Sequence, residues 1–319
     1  MNRHGGAVGA RRRALPRGSP GHRADDPGGS PPPRLAASLS AVAPPGSRPP
    51  ALGLVGGGGL LPGMMAREAR SAGWRVVAFA LTDPETLAPA ADRILPLRLD
   101  DLDPALAALH AESIRHVVLS GRFAKSHLFH GMRLDGTARS LVERAPDWTD
   151  EGLLRTATEA LEAMGVELLD QRRFLAPWLA SAGRLAGPTA DGDTLADALM
   201  GMARARELAR LGVGQTVVVK AGVVVAVEAL EGTDETIARG LRLAGPGATV
   251  VKAPAPDHDY RFDVPAVGPE TVARCVAGGA RVLAVESGRV LLLEPALVAA
   301  AADQAGLSVI GVGQSGDSA

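Results

Sequence analysis

From residue 52 onwards, short β-branched runs alternate with stretches of helical period. Apolar runs at 52–55, 75–80, 93–97, 116–120 and 166–169 read as strands. Between them, Pro62 opens a helical stretch to about residue 72, and 104–111 is a second. A third spans 150–164, where Leu153, Leu154, Ala157, Leu161 and Met164 share one face. Strands alternating with helices predict a parallel sheet covered on both sides. The second half predicts helices at 193–211, 233–243, 269–277 and 295–305, with strands at 249–252 and 307–310. Two hairpins are expected there: 215–220 with 223–229 around Ala221-Gly222, the apolar 223–229 run reading as a buried strand, and 282–286 with 290–293 around Ser287-Gly288. The expected fold is α/β in two domains. A Rossmann-like N-terminal domain covers 51–182, and a mixed α/β catalytic domain covers 183–315. Residues 171–188 read as the linker, and 125–148, which lack a clear period, as a mobile loop. The ligand cleft should lie between the halves, at strand carboxyl ends.

Composition narrows the partners. Residues 1–50 are rich in Pro, Gly, Ser and Arg and read as a disordered extension or an early start codon. Residues 35–43 make a poor signal peptide, and Arg11-Arg12-Arg13 a poor twin-arginine motif. The net charge of -1 provides no whole-protein field for nucleic acid, and 3% aromatics provide few bases' worth of stacking surface. The single cysteine, Cys275, excludes an intrachain disulfide. Of 34 basic residues only Lys125, Lys220 and Lys252 are lysines. Lys220 and Lys252 end predicted strands, where a compact ammonium can meet a phosphate.

Four stretches could carry chemistry. Gly57, Gly58 and Gly59 lie before a helix N-terminus and would cradle an anion on free N–H groups. As a dinucleotide fingerprint the run is poor, because Pro62 stands at the third glycine's place; Asp83 would be its ribose-binding acid. Arg122 follows the 116–120 strand and could grip phosphate bidentately. Glu228, Glu231 and Asp234 surround a strand-to-helix junction, where one or two carboxylates suit Mg²⁺. The same junction also reads as ordinary capping, with Thr233 as N-cap and Asp234 favouring the helix dipole. Finally, Lys252, Asp259, Arg261 and Asp263 alternate and could share one face of an extended segment, or decorate an exposed loop.

These pieces, taken in order, resemble one family. They are the run 52–62, Val118-Leu119-Ser120-Gly121-Arg122, Glu231-Gly232-Thr233-Asp234, Val251-Lys252, Arg261-Phe262-Asp263-Val264-Pro265 and Gly268-Pro269-Glu270-Thr271. The chain is similar from about 52 to 312 to the LpxI-type UDP-2,3-diacylglucosamine pyrophosphatases of lipid A biosynthesis. The resemblance implies a homodimeric hydrolase dependent on Mg²⁺, with Mn²⁺ as the alternative ion. It would cut UDP-2,3-diacylglucosamine to UMP and 2,3-diacylglucosamine 1-phosphate (lipid X), water entering at the sugar-side phosphorus. Asp234 would be the essential acid, with Glu231 and Lys252 in catalysis and Asp234, Glu228 and Asp263 as metal ligands. Gly57, Gly58, Gly59, Arg122, Lys220, Thr233 and Arg261 would bind substrate phosphates. A two-chain lipid substrate implies a cytoplasmic protein in transient contact with the inner-membrane surface. The alternatives are a nicotinamide-dependent oxidoreductase using the glycine turn, or a UDP-sugar-binding module without turnover.

Overall fold

The computed structural model describes residues 49–122, 135–145 and 150–313. Residues 1–48, Lys125 with the rest of 123–134, residues 146–149 and the tail from 314 lie outside these. So do the disorder expected of the extension and most of the expected 125–148 loop.

The first half is a five-stranded parallel sheet. Its elements are β1 (Ala51–Gly56), α1 (Leu61–Ser71), β2 (Arg75–Ala80), α2 (Pro84–Leu87), β3 (Arg93–Pro96), α3 (Asp103–Ala111), β4 (His116–Ser120), α4 (Gly136–Arg144), α5 (Asp150–Ala163) and β5 (Glu167–Leu168). The spatial order is β3-β2-β1-β4-β5, the Rossmann-type arrangement. β1, β2 and β4 are near-continuous apolar runs because both faces are covered. Leu52, Leu54, Val76, Ala78 and Val118 pack on one side with Met65 and Leu175. Val77, Phe79, Val117 and Leu119 pack on the other with Leu109 and Ile114. Within the expected loop the structure places α4. Its N-cap, Asp135, accepts Ala138 N–H at 2.6 Å and, through its other oxygen, Leu102 N–H at 2.7 Å beside α3. Among α4 residues only Ala138 is buried, so the apolar signal was too thin to reveal a helix.

The first half closes with α6 (Arg172–Leu175) and a 3-10 turn (Ala176–Trp178). The second half follows with β6 (Gly183–Ala186), α7 (Gly192–Arg210), β7 (Thr216–Lys220), β8 (Val223–Val227), α8 (Thr233–Ala244) and β9 (Thr249–Lys252). It ends with β10 (Ala266–Val267), α9 (Pro269–Ala277), β11 (Val282–Glu286), β12 (Leu291–Leu292), α10 (Pro295–Ala305) and β13 (Ser308–Val312). Its six-stranded sheet runs β6-β13-β11-β9-β7-β8. The β13, β11 and β9 strands are mutually parallel; β6, β7 and β8 pair antiparallel with their neighbours.

Three expectations are corrected. The 171–188 linker is structured, and β6 within it forms the sheet's edge on β13. The 282–293 hairpin does not form. β11 already has β9 and β13 on its two edges, so no edge remains for a returning strand. The chain instead leaves the sheet, Leu291 N–H donating to Pro265 O, and β12 pairs parallel with β10. The 223–227 strand is an edge strand and half-exposed, not buried. Its hairpin turn is held by buried Asp197, whose carboxylate accepts Ala221 N–H at 2.9 Å and Gly222 N–H at 2.7 Å.

Candidate active site

In the second half, β9 ends where β7 begins, because the two are antiparallel and Thr216 faces Lys252 in register. The start of α8 lies at the same place. Lys252 Nζ donates to Thr233 Oγ1 at 2.9 Å, and Thr233 donates to Glu228 Oε1 at 3.0 Å. Glu228 Oε2 accepts Gln215 N–H at 3.2 Å, and Gln215 Nε2 lies 3.4 Å from Asp263 Oδ2. Four predicted residues, Lys252, Thr233, Glu228 and Asp263, are thus joined by one polar chain. The sequence reading missed Gln215 and Thr216. Neither carries a motif; only the β7–β9 register marks them.

Asp234 follows in the first turn of α8, half-buried, with no hydrogen bond or ion pair among the described residues. Its charge is felt by Cys275 on α9. Burial first, and then Asp234, push that thiol up to about 12. Among the described residues no three His, Cys, Asp or Glu side chains come together to hold a metal. The expected set Asp234, Glu228 and Asp263 is therefore not a preformed cage. Both Glu228 oxygens already accept hydrogen bonds. Each Glu228 oxygen keeps a further lone pair, but the least committed carboxylates are Asp234 and, given its single long contact, Asp263. That fits a Mg²⁺ ion only in the mode where waters and substrate phosphates supply most ligands.

Other predicted residues have work elsewhere. Lys220 Nζ donates to Ala244 O and Pro246 O, both at 2.8 Å, so it caps the C-terminus of α8. That helix has 12 residues and is roughly 18 Å long, which puts Lys220 far from Asp234. Glu231 is bound by Arg239 and, at 3.1 Å, by Thr236. Its own backbone N–H and then Arg239 hold its carboxyl below the usual range. It staples the first turn of α8. Arg261 is clamped by Asp259, Nη2 to Oδ2 at 2.7 Å, with Glu162 3.8 Å away. Residues 254–265 form turns, not an extended face, so the expected alternation of Lys252, Asp259, Arg261 and Asp263 does not arise.

The glycine turn differs from expectation too. Gly57 N–H donates to Ser120 O at 2.8 Å, Gly58 N–H to Arg122 O at 2.9 Å, and Gly59 N–H to Asp83 Oδ2 at 3.3 Å. The three N–H groups are therefore engaged rather than free. Gly57 is required by close approach, since a Cβ there would stand 2.4 Å from Arg122 O. Nothing here favours a nicotinamide site. Around the turn, however, the Thr82 and Ser120 hydroxyls are buried with no hydrogen-bond partner, and exposed Arg122 makes no ion pair among the described residues. Sequence reading had no signal for Thr82 or for the Ser120 hydroxyl.

Beside Thr82, Arg122 and the glycine turn runs a cavity of about 1680 Å³, lined from both halves; Gln215, Glu228, Thr233 and Lys252 do not line it. Phe79, Leu106, Leu119, Leu141, Leu154 and Leu161 give it an apolar wall, Asp83 and Arg122 a polar end, and Phe262 and Asp263 a border from the second half. Asp234 is not among its lining residues.

A Rossmann-type sheet, a second mixed sheet and a largely apolar cavity lined from both halves define a two-domain α/β protein. Comparison with known proteins gives the family. Residues 51–178 match the LpxI N-terminal domain and 181–310 the LpxI C-terminal domain. The UDP-2,3-diacylglucosamine pyrophosphatase LpxI of Caulobacter vibrioides is 32% identical over 277 residues, covering 82% of this chain and 97% of that protein. The chain belongs to the LpxI family. Among solved structures, N5-carboxyaminoimidazole synthetase of Staphylococcus aureus complexed with ADP has a TM-score of 0.21 at 16% identity, covering 54% of this chain and 38% of that one. The ADP complex of purK has 0.22 at 19%, covering 61% and 44%. At such scores the likeness bears on neither fold nor ligand.

Proposed function

We propose that this chain hydrolyses the pyrophosphate of UDP-2,3-diacylglucosamine, releasing UMP and 2,3-diacylglucosamine 1-phosphate. What carries the reading is the apolar cavity, larger than the ~300–1,000 Å³ of drug-sized pockets, with Arg122 suited to phosphate at its polar end. Two acyl chains would lie along Leu106, Leu119, Leu154 and Leu161. Arg122 and Lys252 would neutralise charge on the phosphates, and Thr233 holds the Lys252 ammonium in place. Asp234, with open lone pairs, would accept a hydrogen bond from the attacking water or hold Mg²⁺. Mg²⁺ held by Asp234 would supply Lewis-acid stabilisation of the developing charge. Gly57, Gly58 and Gly59 shape the turn that presents Arg122. No helix among the described residues is long and apolar enough to cross a membrane. A lipid substrate would then be taken by transient contact with the cytoplasmic face of the inner membrane. A homodimer is also part of this reading.

The test is UMP release by the pure protein, in Mg²⁺ and in EDTA. The expected result is turnover in Mg²⁺, loss in EDTA, and recovery with Mn²⁺. Asp234→Ala should lose at least ~100-fold in kcat with an unchanged melting curve. No release by the wild type overturns the reading. Equal rates in EDTA overturn the metal, and an active Asp234→Ala overturns that residue's role.

A further inference from the structure

At the carboxyl end of β11 lies a buried charged cluster that the proposed chemistry does not use. Glu286 is fully buried, and Arg289 is 8% exposed. Glu286 Oε1 receives Arg206 Nε at 3.2 Å and Arg289 Nη1 at 3.4 Å. Arg206 Nη2 is nearer, at 3.0 Å, but without hydrogen-bond geometry. Two guanidinium groups share one carboxylate, so the cluster keeps an excess positive charge. Burying such a group is unfavourable unless its donors are used.

Arg289 spends its remaining donors on one segment. Nη2 donates to Ala255 O and to Pro256 O, the latter at 3.1 Å, and Nε donates to Tyr260 Oη at 3.1 Å. Tyr260 in turn donates to Arg289 O at 3.3 Å. The far side of Tyr260 is held by the first half: Arg172 lies 3.8 Å over its ring, and Gln171 N–H donates to Tyr260 O at 3.2 Å. Tyr260 and Val264 pack in the same apolar cluster as Leu52 and Leu175. The segment fixed in this way carries Asp257, His258, Phe262 and Asp263, which border the cavity.

We propose that Arg289 is a positioning residue that locks 255–263 as a wall of the cavity, so that substrate affinity depends on it more than turnover does. This rests on the proposed hydrolase reading. The segment contains no helix or strand of its own, and the Arg289 fork replaces the backbone ladder that would otherwise hold it.

Three variants test it: Arg289→Met, Arg289→Lys and Tyr260→Phe. Kinetics use the diacyl substrate, and hydrogen exchange reports amides 255–263. Losing charge-assisted hydrogen bonds of this kind should raise KM about tenfold in Arg289→Met with kcat within about threefold. Exchange should quicken at 255–263 but not in β7 or β9. Arg289→Lys, which keeps the charge and part of the bonding, should fall between, and Tyr260→Phe should shift KM the same way by less. Unchanged KM with a lower apparent kcat, the mark of partly misfolded protein, overturns the proposal, as does unchanged exchange at 255–263. If the wild type releases no UMP, the hydrolase reading fails by itself, and the exchange data still decide whether Arg289 holds the segment.

Discussion

Cys275 shows how a residue can matter to stability without chemistry. Its side chain is buried between α8 and α9, and burial, with Asp234 adding to it, raises the thiol to about 12. The folded state therefore keeps its proton where an unfolded thiol, near 9, gives it up. The stabilisation is fully present below pH 9 and is lost as pH rises towards 12, at about 1.4 kcal/mol per pH unit. The stability gap between wild type and Cys275→Ala, measured by urea unfolding, should narrow steadily above pH 9. In native protein at pH 8 the thiol should stay unreactive to a thiol reagent and respond only after unfolding. Asp234 stands nearby with the opposite logic: its carboxylate has no committed partner, so its removal should cost activity rather than stability.

Helix α8 explains why several acids and bases seen in the sequence are not all site groups. Its N-terminal turn is stapled by Glu231 through Thr236 and Arg239, and its C-terminal carbonyls are covered by Lys220. A cation at a helix C-terminus, donating two hydrogen bonds, is worth about 1–2 kcal/mol. Lys220→Met should lower unfolding free energy by about that amount, while kcat/KM for UMP release stays within about twofold. A large loss of activity with unchanged stability would return Lys220 to the site. Thr233 and Glu228, by contrast, point into the polar chain with Lys252. The N-cap itself is Gly232, without a side-chain cap, so the capping expected of Thr233 does not form, and its hydroxyl joins Glu228 and Lys252 instead.

At the level of the molecule, the cavity is the feature that separates a nucleotide hydrolase from a lipid one. Leu161 lines it from α5 and is part-buried. Withdrawing one such side chain from apolar contact costs about 1.5–3 kcal/mol. Leu161→Asp should therefore raise KM for the diacyl substrate by about tenfold or more, whereas Leu297→Asp, exposed on α10 away from the cavity, should leave it unchanged. Equal effects of the two changes would mean that the acyl chains lie elsewhere.

Local periodicity was enough for β2, β4, α9 and α10, whose limits match the hydrophobic pattern residue for residue, because burial and backbone period act within a few neighbours. It was not enough for α4 or β6, which bury too little to leave a pattern. Nor did it show that β11 has no room for a hairpin, since that depends on strands more than 20 residues away in the chain. The site divides in the same way. Lys252, Thr233 and Glu228 stand out as residue types at element ends, but Gln215 joins them only through antiparallel pairing, and Arg289 joins 255–263 only through the packed seam between the halves. Chemistry that depends on which groups exist is written along the chain. Chemistry that depends on which groups meet had to wait for the strand order, because hydrogen bonds act over about 3 Å in space whatever the separation in sequence.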